Sequence, residues 1–361
     1  MSAPSGTIAL RPTAKILVLQ LQHIGDSVVA TPMLRAVRER YPMATLDIVA
    51  SPAAAEVHRK NPRVNNVYAR GTPTTRIARW ASWTRLLMAV RRRRYDCVLA
   101  CANHVSVRHA LIAWGSGAPV RVGFAGGRAS ILFTHRLDAV GDESVSRANL
   151  RVAAAVGARD DDPGGECWYG PEDERAVGEL LAAHGVSHEA RLAVLHMGSN
   201  WQSKTWYTER WMDVAEALAE RGLQPVLVGA AGDVDAGREV QKRSVARVVS
   251  LIGHTDICQL AALLRRADLF VGTDSGPRHV AAAAGCRQVT VMSSLDEPRR
   301  WLLGGSDIVL RSDPHCAGCL RQHCAHRRCM DQITTGRVVE ACGQALERAR
   351  PVAMTAMTMT A

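Results

Sequence analysis

Aromatic side chains are scarce in this chain of 361 residues: they make up 4% of it, and half of those are Trp. A platform for single-stranded nucleic acid needs several stacking rings, so it has little support here. Long apolar runs are missing too. The longest near the N-terminus, Ile16-Leu17-Val18-Leu19, is far too short for a membrane span or a signal-peptide core. The chain is therefore expected to stay in the cytoplasm, and its 10 cysteines need a reason other than a secreted disulfide framework.

What is plentiful is apolar and basic. A hydrophobic content of 47% with 22% charged residues fits a soluble globular enzyme, and 361 residues exceed one typical core, so two domains are expected. The formal charge is +11, most of it from arginine. Arg91 to Arg94 form an unbroken run, with Arg76, Arg79 and Arg85 just upstream. Such an excess points to an anionic partner: nucleic acid, an acidic membrane surface or a phosphorylated substrate. Taken by itself, the run reads first as a solvated helix face that serves only solubility. No nucleic-acid-binding signature accompanies it, so no nucleic-acid partner is expected.

Both halves read as short apolar runs alternating with helical patterns. The runs Lys15–Leu21, Thr45–Ser51, Tyr95–Ala102 and Val120–Phe124 suit buried parallel strands in the first half. In the second, the corresponding runs are Leu192–Met197, Pro225–Ala230, Val248–Ile252, Asp268–Gly272 and Gln288–Met292. Between the first two strands, Ser27–Tyr41 has helical spacing with Pro32 near its start. A helix from Thr208, as N-cap, stops at Gly222, and another begins near Asp256. The polar, breaker-rich Arg159–Gly165 marks the boundary, giving domains at 1–165 and 166–350 and a frayed tail at 351–361. The expected fold class is α/β, two Rossmann-like doubly wound domains facing across a cleft, with ligands at the carboxyl ends of the strands.

Three motifs fall at such ends. Gly272-Thr273-Asp274-Ser275-Gly276-Pro277-Arg278-His279 follows an apolar strand and opens a helix, a layout that offers backbone N–H groups and a helix dipole to a phosphate. An ordinary turn capped by Asp274 or Ser275 has the same look. Gly198-Ser199-Asn200-Trp201-Gln202-Ser203-Lys204 combines small polar residues with an ammonium, which suits a pyrophosphate. It lacks the glycine spacing of a Walker loop, and Lys204 also reads as a surface lysine beside packing tryptophans. In His23-Ile24-Gly25-Asp26-Ser27, Asp26 sits at a helix start, where it either takes a proton from an attacking hydroxyl or caps the helix.

Taken in order, the three motifs resemble the bacterial ADP-heptose:lipopolysaccharide heptosyltransferase family, glycosyltransferases of GT-B-type fold, over Lys15 to Thr334. The resemblance implies an inverting transferase that moves heptose from ADP-heptose to a lipopolysaccharide core acceptor. By it, Asp26 matches the general base, Lys204 the donor-phosphate lysine, and Ser199 and Asn200 the small polar positions before that lysine. Asp274, Ser275, Gly276 and His279 match the element that cradles the donor, and Asp233 lies where an acidic residue reads the adenosine ribose. No metal is then required for catalysis. The implied partners are a nucleotide sugar, an anionic glycolipid acceptor and peripheral contact with the cytoplasmic face of the inner membrane. Gln20 and Gln22 depart from the family, which has a basic residue and Ser or Arg there; Arg278 replaces a small or apolar residue. Those departures put the acceptor in question. Transfer of another sugar, a protein acceptor, and a sugar-nucleotide binder without catalysis stay open.

Cys316, Cys319, Cys324 and Cys329, within the segment 315–330, have a spacing that can surround Zn or Fe tetrahedrally. A loop of reduced thiols without metal explains it as well. Its place after the last strand suggests scaffold. Cys97, Cys101, Cys258 and Cys286 lie in apolar runs and read as core.

Overall fold

The computed structural model describes residues 7–69, 71, 74–101, 106–295, 297–301 and 307–351. The tail expected to fray therefore falls, from 352 onward, outside the described residues. The chain divides into two compact units, Met1–Gly165 and Glu166–Ala361.

The first unit holds six strands: β1 (Lys15–Gln20), β2 (Thr45–Ala50), β3 (Asn66–Ala69), β4 (Cys97–Ala100), β5 (Val120–Phe124) and β6 (His135–Leu137). They form one sheet in the order β3-β2-β1-β4-β5-β6. Every pairing is parallel. Parallel strands are joined by crossovers that cover both faces, so the central ones must be apolar throughout. Accordingly Ile16, Leu17, Val18 and Leu19 are all fully buried, with Ile16 and Val18 in one core cluster and Leu17 and Leu19 in another.

The second unit repeats this plan with β7 (Leu192–His196), β8 (Gln224–Val228), β9 (Val249–Ser250), β10 (Leu269–Thr273), β11 (Gln288–Val291) and β12 (Asp307–Leu310). Its order, β12-β11-β10-β7-β8-β9, is the first sheet's order read from the other edge, again all parallel. Each sheet thus has a point where the strand order reverses: between β1 and β4 in one, between β7 and β10 in the other. Loops leaving the carboxyl ends of these pairs diverge and leave a crevice for ligand.

Three strands were not anticipated from the sequence: β3, β6 and β12. All are sheet edges, with half-exposed residues instead of an unbroken apolar run. The expected Ser27–Tyr41 helix is two helices, Ile24–Val28 and Thr31–Arg40. Pro32 explains the break, since it has no N–H to give the Val28 carbonyl and its ring crowds it. The Thr31 hydroxyl donates to that carbonyl instead, at 2.7 Å. The helix expected to be capped by Thr208 has Tyr207 as N-cap, without a side-chain cap, and Thr208 as its first residue. Gly222 ends it in the left-handed region at φ 77°. Asp256 caps the Ile257–Arg266 helix through the Gln259 N–H. In the first unit, Arg35 reaches the polar Asp160–Gly164 stretch, pairing with Asp160 at 2.6 Å and donating to the Asp162 carbonyl at 2.8 Å.

Candidate active site

In the second unit the loops after β7 and β10 flank the reversal point and carry most of the predicted donor residues. Lys204 sits on a short 3-10 turn, Gln202–Lys204, and its Nζ is 2.7 Å from Asp274 Oδ2. The other Asp274 oxygen is 3.4 Å from Arg278 Nε. Arg278 is only 2% exposed; its guanidinium also pairs with Asp307 of β12 at 3.0 Å and donates to the Trp301 carbonyl at 2.8 Å. Asp307 in turn accepts the Thr290 hydroxyl of β11 at 2.9 Å. A single buried cation therefore bridges two carboxylates from different elements.

Burial alone would raise the Asp274 pKa, but the charges of Arg278 and Lys204 outweigh it and hold the carboxyl down at about 2. Asp307, buried with a share of only one cation, is pushed up by burial against the pull of Arg278. Asp274 is thus a fixed anion that holds the Lys204 ammonium in place. The ammonium keeps further donors, lies 5.5 Å from the Trp201 ring centroid, and retains 23% side-chain exposure.

Ser275 does not cap the Gly276–Ala283 helix that follows it. Its hydroxyl lies 3.0 Å from His196 Nδ1 at the end of β7. That leaves the first turn of the helix without a side-chain cap, and Pro277 has no N–H to need one. Burial, with Arg278 adding to it, pushes His279 down to about 3, so it is a neutral imidazole and no countercharge. It packs edge-on against Trp301 at 6.3 Å.

Two glycines let these loops close on each other. A Cβ at Gly198 would run into the Asp233 carboxylate, and the Gly198 carbonyl accepts the Thr273 hydroxyl at 2.6 Å. At Gly272 a Cβ would meet the Phe270 ring at 2.5 Å and the His196 Cβ at 3.4 Å. Asp233 accepts the Ala230 N–H at 2.9 Å, so it starts its own short helix as well as facing Gly198. Its charge favours protonation of His196, but burial dominates and holds that imidazole neutral, down to about 4. Ser199 is turned inward to accept the Trp201 N–H at 3.2 Å, whereas Asn200 is exposed.

The cysteine segment lies against the Lys204 turn. The Ser203 N–H donates to the Gln322 carbonyl, and the Cys324 N–H to Gln202 Oε1, both at 3.1 Å. Arg327 donates to the Thr205 hydroxyl at 3.2 Å and stands 4.6 Å from the Tyr207 ring centroid. Cys316 and Cys319 are exposed, while Cys324 and Cys329 are half-buried. Among the described residues no three His, Cys, Asp or Glu side chains gather in a way that can hold a metal ion. The Arg327 and His326 N–H groups lower the Cys324 pKa. Cys97, Cys101, Cys258 and Cys286 are buried, as core thiols should be.

In the first unit, Asp26 lies in the Ile24–Val28 helix just after β1, at that sheet's reversal point, and accepts the His23 N–H at 3.1 Å. The loop is tied down by the Ser51 hydroxyl, which donates to the Gln22 carbonyl at 2.7 Å. His109 Nε2 accepts the Leu21 N–H at 3.3 Å. Gln20 is buried, with its Oε1 unpartnered among the described residues.

Arg278, Asp307, His196 and Thr273 were not assigned roles from the sequence. Arg278 stood out there as a charge where a small residue was expected. Its partner Asp307 lies on an unanticipated edge strand, so the pair was invisible.

The family Glycosyltransferase family 9 (heptosyltransferase) matches over residues 83–329. Lipopolysaccharide heptosyltransferase 3 of Escherichia coli strain K12 is 25% identical over 287 residues, 76% of this chain and 81% of that protein. A family 9 glycosyl transferase from Veillonella parvula superposes with a TM-score of 0.79 at 20% identity, covering 94% of this chain and 99% of that one. The ADP-heptose LPS heptosyltransferase II of E. coli gives 0.75 at 22% identity, covering 92% and 98%. These two likenesses establish the GT-B-type fold, with two parallel six-stranded sheets.

Proposed function

Because this chain belongs to glycosyltransferase family 9, the heptosyltransferases, we propose that it transfers heptose from ADP-heptose to a lipopolysaccharide core acceptor. The donor named for the E. coli structure is ADP-heptose, and the curated relative is named for lipopolysaccharide. The observation that carries the reading is the Lys204–Asp274–Arg278 chain at the reversal point of the second sheet. A diphosphate leaving group gathers negative charge as its bond to the sugar breaks. An ammonium held in position by a fixed carboxylate meets that charge without reorganising, and the uncapped helix start adds its dipole. No divalent cation is needed in this scheme.

In the reaction, the acceptor hydroxyl oxygen attacks the anomeric carbon of heptose. The bond from that carbon to the diphosphate breaks, ADP departs with the electron pair, and the hydroxyl proton passes to the Asp26 carboxylate. The configuration at the anomeric carbon inverts. Asp233 is assigned to the adenosine ribose, and Ser199, Asn200, Ser275, Gly276 and His279 to hydrogen bonds with the donor. The buried Gln20 favours a second reading for the acceptor alone, a protein or a different glycolipid, because the basic side chain of the family pattern is missing there.

The test is Asp26→Asn, assayed by ADP release and by donor titration. Loss of a general base lowers kcat about 10²–10⁴-fold with donor affinity kept. Unchanged turnover would remove Asp26 from the chemistry, and a protein that binds donor but turns over no acceptor in either form is a binder.

A further inference from the structure

The loop that carries Asp26 leaves β1 where that strand parts from β4. Among the described residues the last rung between the two strands is the Cys101 N–H, which donates to the Leu19 carbonyl at 3.0 Å. Along a parallel ladder the next donor from β1 is the Leu21 N–H, and a strand neighbour would offer it a carbonyl. The partner here is a side chain: His109 Nε2 accepts that N–H at 3.3 Å. An imidazole thus takes over the ladder at the reversal point, just before the turn into the Ile24–Val28 helix.

His109 belongs to the Val107–Gly115 helix after β4, whose first turn Ser106 caps through the His109 N–H. The helix buries His109, Ala110, Ile112 and Ala113. The three apolar ones share a core cluster with Leu17 and Leu19 of β1, so the polar ring is the exception on an apolar face. It is 1% exposed, and close packing fixes its rotamer. From the other side of β1, Ser51, just after β2, ties the next residue. Its hydroxyl donates to the Gln22 carbonyl at 2.7 Å, and its oxygen accepts the Ala54 N–H at 3.3 Å. Leu21 and Gln22 are therefore clamped from both strands that neighbour β1. Asp26 follows closely and reaches back to the His23 N–H at 3.1 Å, which leaves little slack between the clamp and the carboxylate.

We propose, on the reading of Asp26 as general base, that His109 is its positioning residue: by holding the Leu21 N–H it sets where the carboxylate meets the acceptor hydroxyl. A ring so deeply buried touches no substrate, and it acts through the loop. To accept an N–H, Nε2 must be bare, so the ring is neutral and its proton sits on Nδ1. Attack by the acceptor oxygen needs near-contact geometry, and a misplacement of about 1 Å costs on the order of 100-fold in rate. The donor residues belong to the other sheet, so loosening this loop leaves donor binding alone. A ring kept only to fill space predicts otherwise: an apolar side chain of similar size would then serve as well.

The experiment is steady-state kinetics of the full-length protein, with ADP-heptose and a heptose-deficient lipopolysaccharide core as substrates, beside hydrogen exchange of the segment 21–26. His109→Leu should lower kcat about tenfold to a hundredfold with the KM for ADP-heptose unchanged. His109→Gln, whose carboxamide can still accept the Leu21 N–H, should recover most of that loss. Exchange in the segment should rise in the Leu variant and fall back in the Gln variant, a readout that needs no acceptor. In Asp26→Asn the leucine substitution should add nothing, because the two residues act as a unit. Wild-type kcat or wild-type exchange in His109→Leu overturns the proposal. So does equal impairment of both variants, or a loss that multiplies with that of Asp26→Asn. Wild-type turnover by Asp26→Asn alone instead removes the base, the reading on which the proposal rests.

Discussion

The two sheets share one strand order, yet the polar residues at their reversal points differ in kind. From the loops after β7 and β10, a line of four charged side chains runs from Lys204 through Asp274 and Arg278 to Asp307 of β12, and only the first keeps appreciable exposure. After β1, a carboxylate sits in a five-residue helix and accepts a neighbouring N–H. The contrast matches the tasks proposed for them. Holding a diphosphate rewards fixed charge, since donors that need no reorganisation stabilise a developing anion most. A base must instead give up and take on a proton, which a carboxyl held down at about 2 by two cations does poorly.

The comparison breaks most sharply at Arg278. Arg278→Met leaves Asp274 and Asp307 as buried carboxylates without their shared cation, an expected cost of about 3–5 kcal/mol in chemical denaturation. A loss below about 1 kcal/mol would mean that the carboxylates do not depend on it.

Acid comes next. His196 and His279 are held neutral by burial, at about 4 and about 3, whereas an unfolded histidine titrates near 6.5. As pH falls below 6.5 the unfolded chain takes up protons that these folded side chains refuse, so stability falls with pH until the folded values are reached. Each contributes on the order of 3 kcal/mol to that loss. Asp274 acts in a lower window: its contribution is present above about 3.8 and is lost as pH falls toward about 2. Denaturation midpoints from pH 7 to pH 4 check the histidines. Replacing His196 by Gln should flatten part of the slope, and an unchanged slope would contradict the assignment.

The smallest effect is at the donor itself. Lys204→Ala removes one charge-assisted contact and should weaken ADP-heptose binding about tenfold to a hundredfold, with little change in melting temperature. Equal affinity would show that the ammonium faces no phosphate.

How much of this was legible in the sequence follows burial. Central strands such as β1 and β10 are apolar on both faces, so their composition announces them; the edge strands β3, β6 and β12 lack that signal. The turn carrying Asp274 and Ser275 and the loop carrying Lys204 were readable because small and charged residues interrupt apolar runs there. That Lys204 meets Asp274 was not, since 70 positions separate them and only the pairing of β7 with β10 joins their loops. Asp233 next to Gly198 was hidden for the same reason. The contacts of the cysteine segment with Gln202 and Thr205 were hidden too, since more than 100 positions of chain lie between them.

The most direct test of the central claim is a calorimetric titration of the wild-type protein and Asp26→Asn with ADP-heptose, ADP and UDP. Both proteins should bind ADP-heptose more tightly than ADP, and ADP more tightly than UDP, without added divalent metal. A preference for UDP, or no heat with any of the three from folded protein, would contradict the donor assignment. Loss of donor binding in Asp26→Asn would contradict the division of work between the two sheets.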